Sequence, residues 1–129
     1  MSPKTGFDLK KCILSFKYAF AGIWQLFKSE NNAKVHLMAT VIVIIAGLFF
    51  NVSVNDWRWL LFSITLVWIT EAINTALEQL TDLVSPERNR KAGKVKDVAA
   101  GAVLLAAIFA IFVGCSVFIP FFMDLNTHL

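Results

Sequence analysis

The stretch Thr70–Asp82, TEAINTALEQLTD, closes a long apolar segment with a stripe of polar side chains. The members of this stripe are Glu71, Asn74, Glu78 and Asp82, spaced at i, i+3, i+7 and i+11. At about 100° per residue they share one helix face about 80° wide. A carboxylate near the hydrocarbon core of a bilayer costs on the order of 2.5–3.5 kcal/mol on insertion scales. The stretch therefore predicts that one end of a membrane-spanning helix carries polar side chains with a functional role.

The composition of the chain around this stretch is typical of a membrane protein. Of its 129 residues 57% are hydrophobic and only 16% are charged, which does not fit a soluble globular chain. The net charge of +3 is explained by basic residues at the membrane surface, so the sequence predicts no nucleic-acid partner. The two cysteines stand in unrelated contexts, without the spacing of a metal site.

The segments of the chain predict a single all-α membrane domain. Residues 7–29 carry apolar side chains at three- and four-residue steps, with lysines largely opposite, which predicts an amphipathic surface helix. Residues 35–52, 57–80 and 98–119 are apolar runs close to the roughly 20 residues that a spanning helix needs. Residues 82–97, between the second and third spans, are expected to form a polar loop.

The distribution of Lys and Arg predicts the orientation of these spans. Eleven of the twelve basic residues lie in residues 1–34 and 82–97, and only Arg58 lies on the other side of a three-span arrangement. Basic residues concentrate in cytoplasmic loops. The sequence therefore predicts a multi-pass protein of the bacterial inner membrane, with its N-terminus and the 82–97 loop in the cytoplasm.

The polar side chains at this cytoplasmic edge suit phosphoryl transfer. Mg²⁺ is usually held by one or two carboxylates together with substrate phosphates, and Glu30 and Glu78 could supply the carboxylates. Glu71 lies deeper and could accept a proton from a hydroxyl group arriving from the lipid side, while Lys96 could meet phosphate charge. The pattern indicates an interfacial site that joins a water-soluble anion to a lipid alcohol.

Two other interpretations of the stripe stay open at this point. Carboxylates within a membrane also mark proton or cation pathways, as in a small transporter or an oligomeric channel. Glu71 and Asn74 could alternatively serve only as hydrogen-bonding groups between helices. The chain has no Gly-rich phosphate loop, so a bound nucleotide would be held by side chains and metal.

Two motifs of the chain resemble those of the bacterial diacylglycerol kinase/undecaprenol kinase family. The first is EAINTALE at residues 71–78, followed by Asp82, and the second is KDVAAGAVL at residues 96–104. The likeness extends to SFKYAFAG at residues 15–22 and to Glu30, and it covers about residues 6–118. The family's small three-span architecture with an N-terminal surface helix agrees with the segments described above.

This resemblance implies a homotrimeric enzyme that transfers the γ-phosphate of ATP to a lipid hydroxyl with the help of Mg²⁺. It assigns proton acceptance to Glu71, metal binding to Glu30 and Glu78, and a supporting catalytic role to Asn74 and Asp82. Contacts with the nucleotide are assigned by the same likeness to a further set of positions, namely Lys11, Tyr18, Glu87, Arg88, Asn89, Lys96 and Asp97, in addition to Glu30 and Glu78.

Two positions bear on which branch of the family the chain resembles. Lys11 stands where the diacylglycerol kinase branch has arginine, which removes a bidentate phosphate contact. His36 resembles the undecaprenol kinase branch, whereas the diacylglycerol branch is acidic there. We expect diacylglycerol to be the acceptor because it is the family's general activity, with undecaprenol as the alternative. Composition alone favours an interfacial hydrogen-bonding role for His36.

Overall fold

The computed structural model describes residues 6–29 and 31–127, and within these ranges the chain is entirely helical apart from short connections. It contains four helices: α1 (Leu9–Ser29), α2 (Asn31–Phe49), α3 (Val54–Val84) and α4 (Arg90–Thr127). Three of them, α2, α3 and α4, are long and apolar enough to cross a membrane. The all-α fold class with three candidate spans is confirmed.

The helices extend beyond the spans that hydropathy predicts. The expected loop at 82–97 is reduced to a connection at 85–89, because α4 already begins at Arg90. Asn89 accepts a hydrogen bond at Oδ1 from the backbone N–H of Lys91 at 2.8 Å, as a helix N-cap does. At the other end α4 continues through Pro120 to Thr127. Polar residues with good helix propensity prolong a helix into water, where hydropathy no longer reports it.

The connection before α2 is also shorter than the sequence predicts, and the connection after it begins earlier. Only residue 30 separates α1 from α2, whereas the sequence predicts a surface helix that ends at residue 29 and a span that begins at residue 35. Between α2 and α3, Asn51 takes a positive φ of 50°, a backbone conformation that asparagine tolerates well. Ser53 then caps α3, accepting a hydrogen bond at Oγ from the backbone N–H of Asp56 at 3.1 Å.

The long helices α3 and α4 form an antiparallel hairpin whose apolar end lies far from the polar stripe. Val52, Leu60, Val113 and Val117 are buried together there. Phe50 packs against this cluster and stacks on Phe121, with ring centroids 5.3 Å apart. Lipid tails are as apolar as these side chains, so close van der Waals packing is what stabilises this end of the hairpin.

Helix α2 approaches α3 closely at Gly47, which is buried against the ring of Trp57. A Cβ atom at position 47 would lie only 2.5 Å from Cη2 of that ring. Only glycine permits this approach. Further along the same pair of helices, Trp68 donates a hydrogen bond from Nε1 to Oγ1 of Thr40 at 3.1 Å, so α2 and α3 are joined both by packing and by a polar contact.

Helix α1 is held to the other helices by its C-terminal end. Leu26 is buried, and the ring of Phe27 meets that of Trp68 edge-on at 4.8 Å. The apolar side chains nearer the start of α1, including Phe16 and Phe20, are exposed in the single chain. This exposed apolar face is what an amphipathic helix lying on a membrane would present to lipid.

Four small residues recur at every fourth position of α4, namely Ala102, Ala106, Ala110 and Gly114. This line of small residues is only partly an open surface. Ala102 is exposed, but Ala106 is buried within the single chain. Ala110 and Gly114 line a groove beside α2. Within one chain, this line of small residues therefore contributes to helix packing and lines a groove, in addition to any contact with a helix of another chain.

Candidate active site

The four members of the polar stripe form a gradient of burial along α3. Glu71 and Asn74 are 1% and 4% exposed, Glu78 is half-buried, and Asp82 is exposed. The Asn74 amide donates from Nδ2 to Oε1 of Glu78 at 3.4 Å, one helical turn away. The predicted single face is thus observed, and the stripe runs from the interior of the helix bundle to the polar end of α3.

Glu71 faces a histidine on the neighbouring helix. Nε2 of His36 lies 3.4 Å from Oε2 of Glu71, and both side chains are largely shielded, at 18% and 2% exposure. The sequence interpretation treated His36 as an interfacial residue and did not pair it with Glu71. The only signal for this pairing was that the histidine stands at the start of one span and the glutamate at the end of the next.

Asp82 and Lys96 join the polar ends of α3 and α4. Nζ of Lys96 donates to Oδ1 of Asp82 at 2.5 Å. This hydrogen bond, with the negative charges of Asp82 and Glu78, raises the pKa of Lys96 above its ordinary value, and partial desolvation opposes the change. Lys96 is therefore a permanent cation at neutral pH. One of its three donor hydrogens is used by Asp82.

A cavity of about 460 Å³ opens beside this ion pair, between the end of α3 and the start of α4. Among the residues that line it are Asp82 and Lys96, together with four consecutive residues of the connection and the first turn of α4, namely Glu87, Arg88, Asn89 and Arg90. Guanidinium groups suit phosphate oxygens because their donors form a fork. The cavity thus has the charge and the size for a phosphorylated ligand.

The structure gathers some of the predicted nucleotide contacts and not others. Glu87, Arg88, Asn89 and Lys96 line this one cavity. Lys11 and Tyr18 are exposed on α1 and do not line it. Asp97 is exposed and does not line the cavity. Glu30 lies outside the described residues.

The described residues offer oxygen donors that suit Mg²⁺, although no group of three or more His, Cys, Asp or Glu side chains converges among them. Glu78 is half-buried beside Asn74. The Oδ1 atom of Asn74 is buried and has no hydrogen-bond partner among the residues described. Mg²⁺ needs only one or two carboxylates when substrate phosphates supply further oxygens. Glu78 fits that requirement.

Thr75 is a further buried polar group that the sequence interpretation did not single out. Its Oγ1 atom has no hydrogen-bond partner within residues 6–29 and 31–127. Thr75 lines a small cavity between α1 and α3, with Gln25 and Gln79. It was missed because a threonine within a spanning helix usually bonds to its own backbone, as Thr70 does here.

The stripe, the ion pair and the cavity form one continuous polar region at one end of the helix hairpin. Its deep part holds a shielded carboxylate beside an imidazole, and its outer part holds cations beside an open cavity. A shielded carboxylate and a basic cavity are groups that transfer of a phosphoryl group to an alcohol could use.

Comparison with known proteins shows that this polar region lies in a part of the chain that matches a protein family. A family model described as prokaryotic diacylglycerol kinase matches residues 17–118, which include the entire polar stripe. The chain is 32% identical over 113 residues to the undecaprenol kinase of Bacillus subtilis strain 168, covering 88% of this chain and 92% of that protein.

Two relatives named diacylglycerol kinase are also similar over most of the chain. The protein from Synechocystis is 38% identical over 109 residues, or 84% of this chain, and this match spans only 62% of its own length. The protein from Escherichia coli K12 is 27% identical over 111 residues, covering 86% of this chain and 89% of that protein.

Proposed function

The chain belongs to the prokaryotic diacylglycerol kinase family and is a lipid kinase, and on that premise we propose that it phosphorylates diacylglycerol with Mg-ATP to give phosphatidic acid. The observation that carries this proposal is the depth gradient of the stripe, with Glu71 shielded and Asp82 exposed. A lipid hydroxyl reaches the shielded carboxylate from the membrane, whereas the nucleotide reaches the outer end from water.

In the proposed reaction the lipid hydroxyl oxygen attacks the γ-phosphorus of ATP. A new phosphorus–oxygen bond forms, the bond from the γ-phosphorus to the bridging oxygen breaks, and ADP leaves with that electron pair. Glu71 accepts the hydroxyl proton. Asn74 orients Glu78 through its amide hydrogen bond, and Asp82 holds Lys96 at the cavity.

Glu78, together with Glu30, would hold Mg²⁺ in this proposal. When bound, the ion would draw phosphate oxygens together and neutralise part of their charge. The basic cavity beside Asp82 would receive the nucleotide phosphates, with contacts from Glu87, Arg88, Asn89 and Lys96. Lys11, Tyr18 and Asp97 are proposed as nucleotide contacts on the family resemblance.

Undecaprenol is the second candidate acceptor, and His36 is the observation that favours it. The imidazole contacts the proposed proton acceptor, and the family resemblance places histidine at this position in the undecaprenol kinase branch. The relative from Bacillus subtilis bears that name. Hydrophobic walls discriminate weakly between long apolar chains, so the acceptor must be determined by assay.

In the direct test, purified protein is incubated with labelled ATP and Mg²⁺. Diacylglycerol is supplied in one reaction and undecaprenol in a parallel reaction. We expect labelled lipid phosphate with diacylglycerol at the higher kcat/KM. Glu71→Gln should abolish turnover while nucleotide binding persists, and the matched variant Glu78→Gln should weaken the dependence on Mg-ATP. A higher kcat/KM for undecaprenol would make undecaprenol the preferred acceptor in place of diacylglycerol. Near-normal turnover by Glu71→Gln would contradict the assignment of Glu71 as the proton acceptor.

We further propose an inner-membrane location with residues 1–34 and 82–97 in the cytoplasm, where ATP is available. The asymmetry of the basic residues supports this orientation. A cysteine replacing Asn89, in a background without Cys12 and Cys115, should react with an impermeant reagent from the cytoplasmic side alone. Labelling from the opposite side would reverse the topology.

A homotrimer is proposed on the family resemblance. The exposed apolar surface of α2 and α4 leaves room for neighbouring chains as well as lipid. The mass of the detergent-solubilised protein, measured by sedimentation or native mass spectrometry, should equal three chains plus bound detergent. A monomeric mass in an active preparation would exclude the trimer as a requirement.

A further inference from the structure

His36 packs against side chains of α3 rather than projecting freely. Its ring meets the Trp68 ring edge-on, with centroids 6.3 Å apart. One turn along α2, the Thr40 hydroxyl donates to the backbone oxygen of His36 at 2.7 Å and accepts from Nε1 of Trp68 at 3.1 Å. Phe27 of α1 packs on the same indole. The imidazole therefore packs against an indole that is itself held by Thr40 and Phe27.

The atom that this arrangement presents to α3 is Nε2 of the imidazole, 3.4 Å from Oε2 of Glu71. At this distance the imidazole and the carboxylate are in close electrostatic contact, without the geometry of a hydrogen bond. Both groups are shielded from water. Electrostatic contacts are stronger in such surroundings than in solvent, so this contact restricts the carboxylate.

His36 also lines one end of an apolar groove between α2 and α4. The groove has a volume of about 460 Å³, its floor includes Val67 of α3, and its α4 wall includes the small residues Ala110 and Gly114. Val67 precedes Glu71 by four residues and so shares its helix face. The pair of His36 and Glu71 therefore lies where this groove reaches the polar stripe.

We propose that His36 is a positioning residue for Glu71, holding the carboxylate in the orientation in which it accepts the proton of the acceptor hydroxyl. This inference rests on the proposed function, in which Glu71 is the proton acceptor. His36 itself neither contacts the nucleotide cavity nor takes the proton. It acts through Glu71, and its effect belongs to the chemical step.

The proposal predicts a specific kinetic pattern for substitutions at position 36. His36→Leu, which keeps an apolar side chain in the groove but removes the polar contact with Glu71, should lower kcat by about 10- to 100-fold, the loss typical of a misplaced catalytic group. The KM values for lipid and Mg-ATP should stay near those of the wild type. His36→Gln, whose amide keeps a polar group beside Glu71, should restore most of kcat.

Met38→Leu, an exposed position on the same helix, is the matched control and should behave as the wild type. The contact itself can be measured without turnover, as a shift of the Glu71 carboxylate infrared band between the wild type and His36→Leu, assigned with Glu71→Gln. This measurement tests the contact between His36 and Glu71 separately from the proposed function. A wild type that phosphorylates no lipid contradicts the proposed function, even when the band shifts.

Three results would overturn the positioning role in an active enzyme. The first is an unchanged kcat for His36→Leu. The second is a raised KM for the lipid with kcat unchanged, which would make His36 a lipid-binding residue. The third is an equal loss of kcat and of thermal midpoint in His36→Leu and His36→Gln, which would indicate a purely structural role.

Discussion

Replacing Gly47 with alanine should separate α2 from α3, because the new methyl group has no space. The added Cβ would lie 2.5 Å from Cη2, 2.7 Å from Cζ2 and 3.1 Å from Cζ3 of the Trp57 ring. The optimum for carbon–carbon contacts is about 3.5–4.0 Å. The shortest contact is thus roughly 1 Å too close, so either the ring must turn or the helices must move apart.

The size of the effect follows from two opposing contributions. Overpacking of a close contact costs about 1–3 kcal/mol, whereas alanine is favoured over glycine within a helix by up to about 1 kcal/mol. We therefore expect Gly47→Ala to lower the free energy of unfolding by about 1 kcal/mol. Gly101→Ala is the matched control, because nothing lies within 4 Å of a Cβ atom at that position. It should be neutral or slightly stabilising.

The assay is reversible unfolding in mixed micelles, with lipid phosphorylation measured in parallel. The clashing atoms belong to the six-membered ring of the Trp57 indole, so Gly47→Ala should lose most of its cost in a Trp57→Phe background. His36 lies about three helical turns from Gly47 along α2, so a displaced helix should also lower turnover. The steric reasoning would be refuted if Gly47→Ala lowered the free energy of unfolding equally in the wild type and in the Trp57→Phe background. It would also be refuted if Gly47→Ala, like Gly101→Ala, left that free energy unchanged or raised it.

Three further changes test other contacts of the fold and site. Ser53→Ala removes the N-cap of α3 and should lower the free energy of unfolding by about 1 kcal/mol, whereas Ser53→Thr should not. Trp68→Phe removes the hydrogen bond to Thr40 and should cost about 1 kcal/mol in unfolding experiments. Thr40→Val also loses the Thr40 bond to the backbone oxygen of His36, and it should cost less in the Trp68→Phe background than in the wild type. Asp82→Asn should lower the pKa of Lys96 toward its ordinary value, as followed by NMR of labelled lysine. An unchanged Lys96 titration would show that Asp82 does not hold it.

The parts of the fold that sequence reasoning predicted are those determined by local patterns. A spanning helix is marked by consecutive apolar residues, and α2, α3 and α4 are helices of that length and character. The common face of Glu71, Asn74 and Glu78 follows from helical periodicity alone. Each of these features depends on the order of side chains along one helix, so no contact between helices is needed to predict it.

Helix ends were predicted less well, because polar residues that continue a helix resemble a loop in hydropathy. Residues 90–97 form the start of α4 instead of the end of a loop. This difference matters for the site. Lys96 is held on a helix beside Asp82, and the cavity lies between two helix ends rather than within a mobile polar segment.

The sequence by itself determined that this chain has three apolar helices and a polar stripe on one face of the second, because these are properties of single helices. Only the tertiary structure decided which groups meet the stripe. His36 faces Glu71 across 35 residues of chain, and Lys96 reaches Asp82 across the connection between α3 and α4. The physical reason is that the rotation and spacing of packed helices depend on contacts such as Gly47 against Trp57, and hydropathy does not report such contacts.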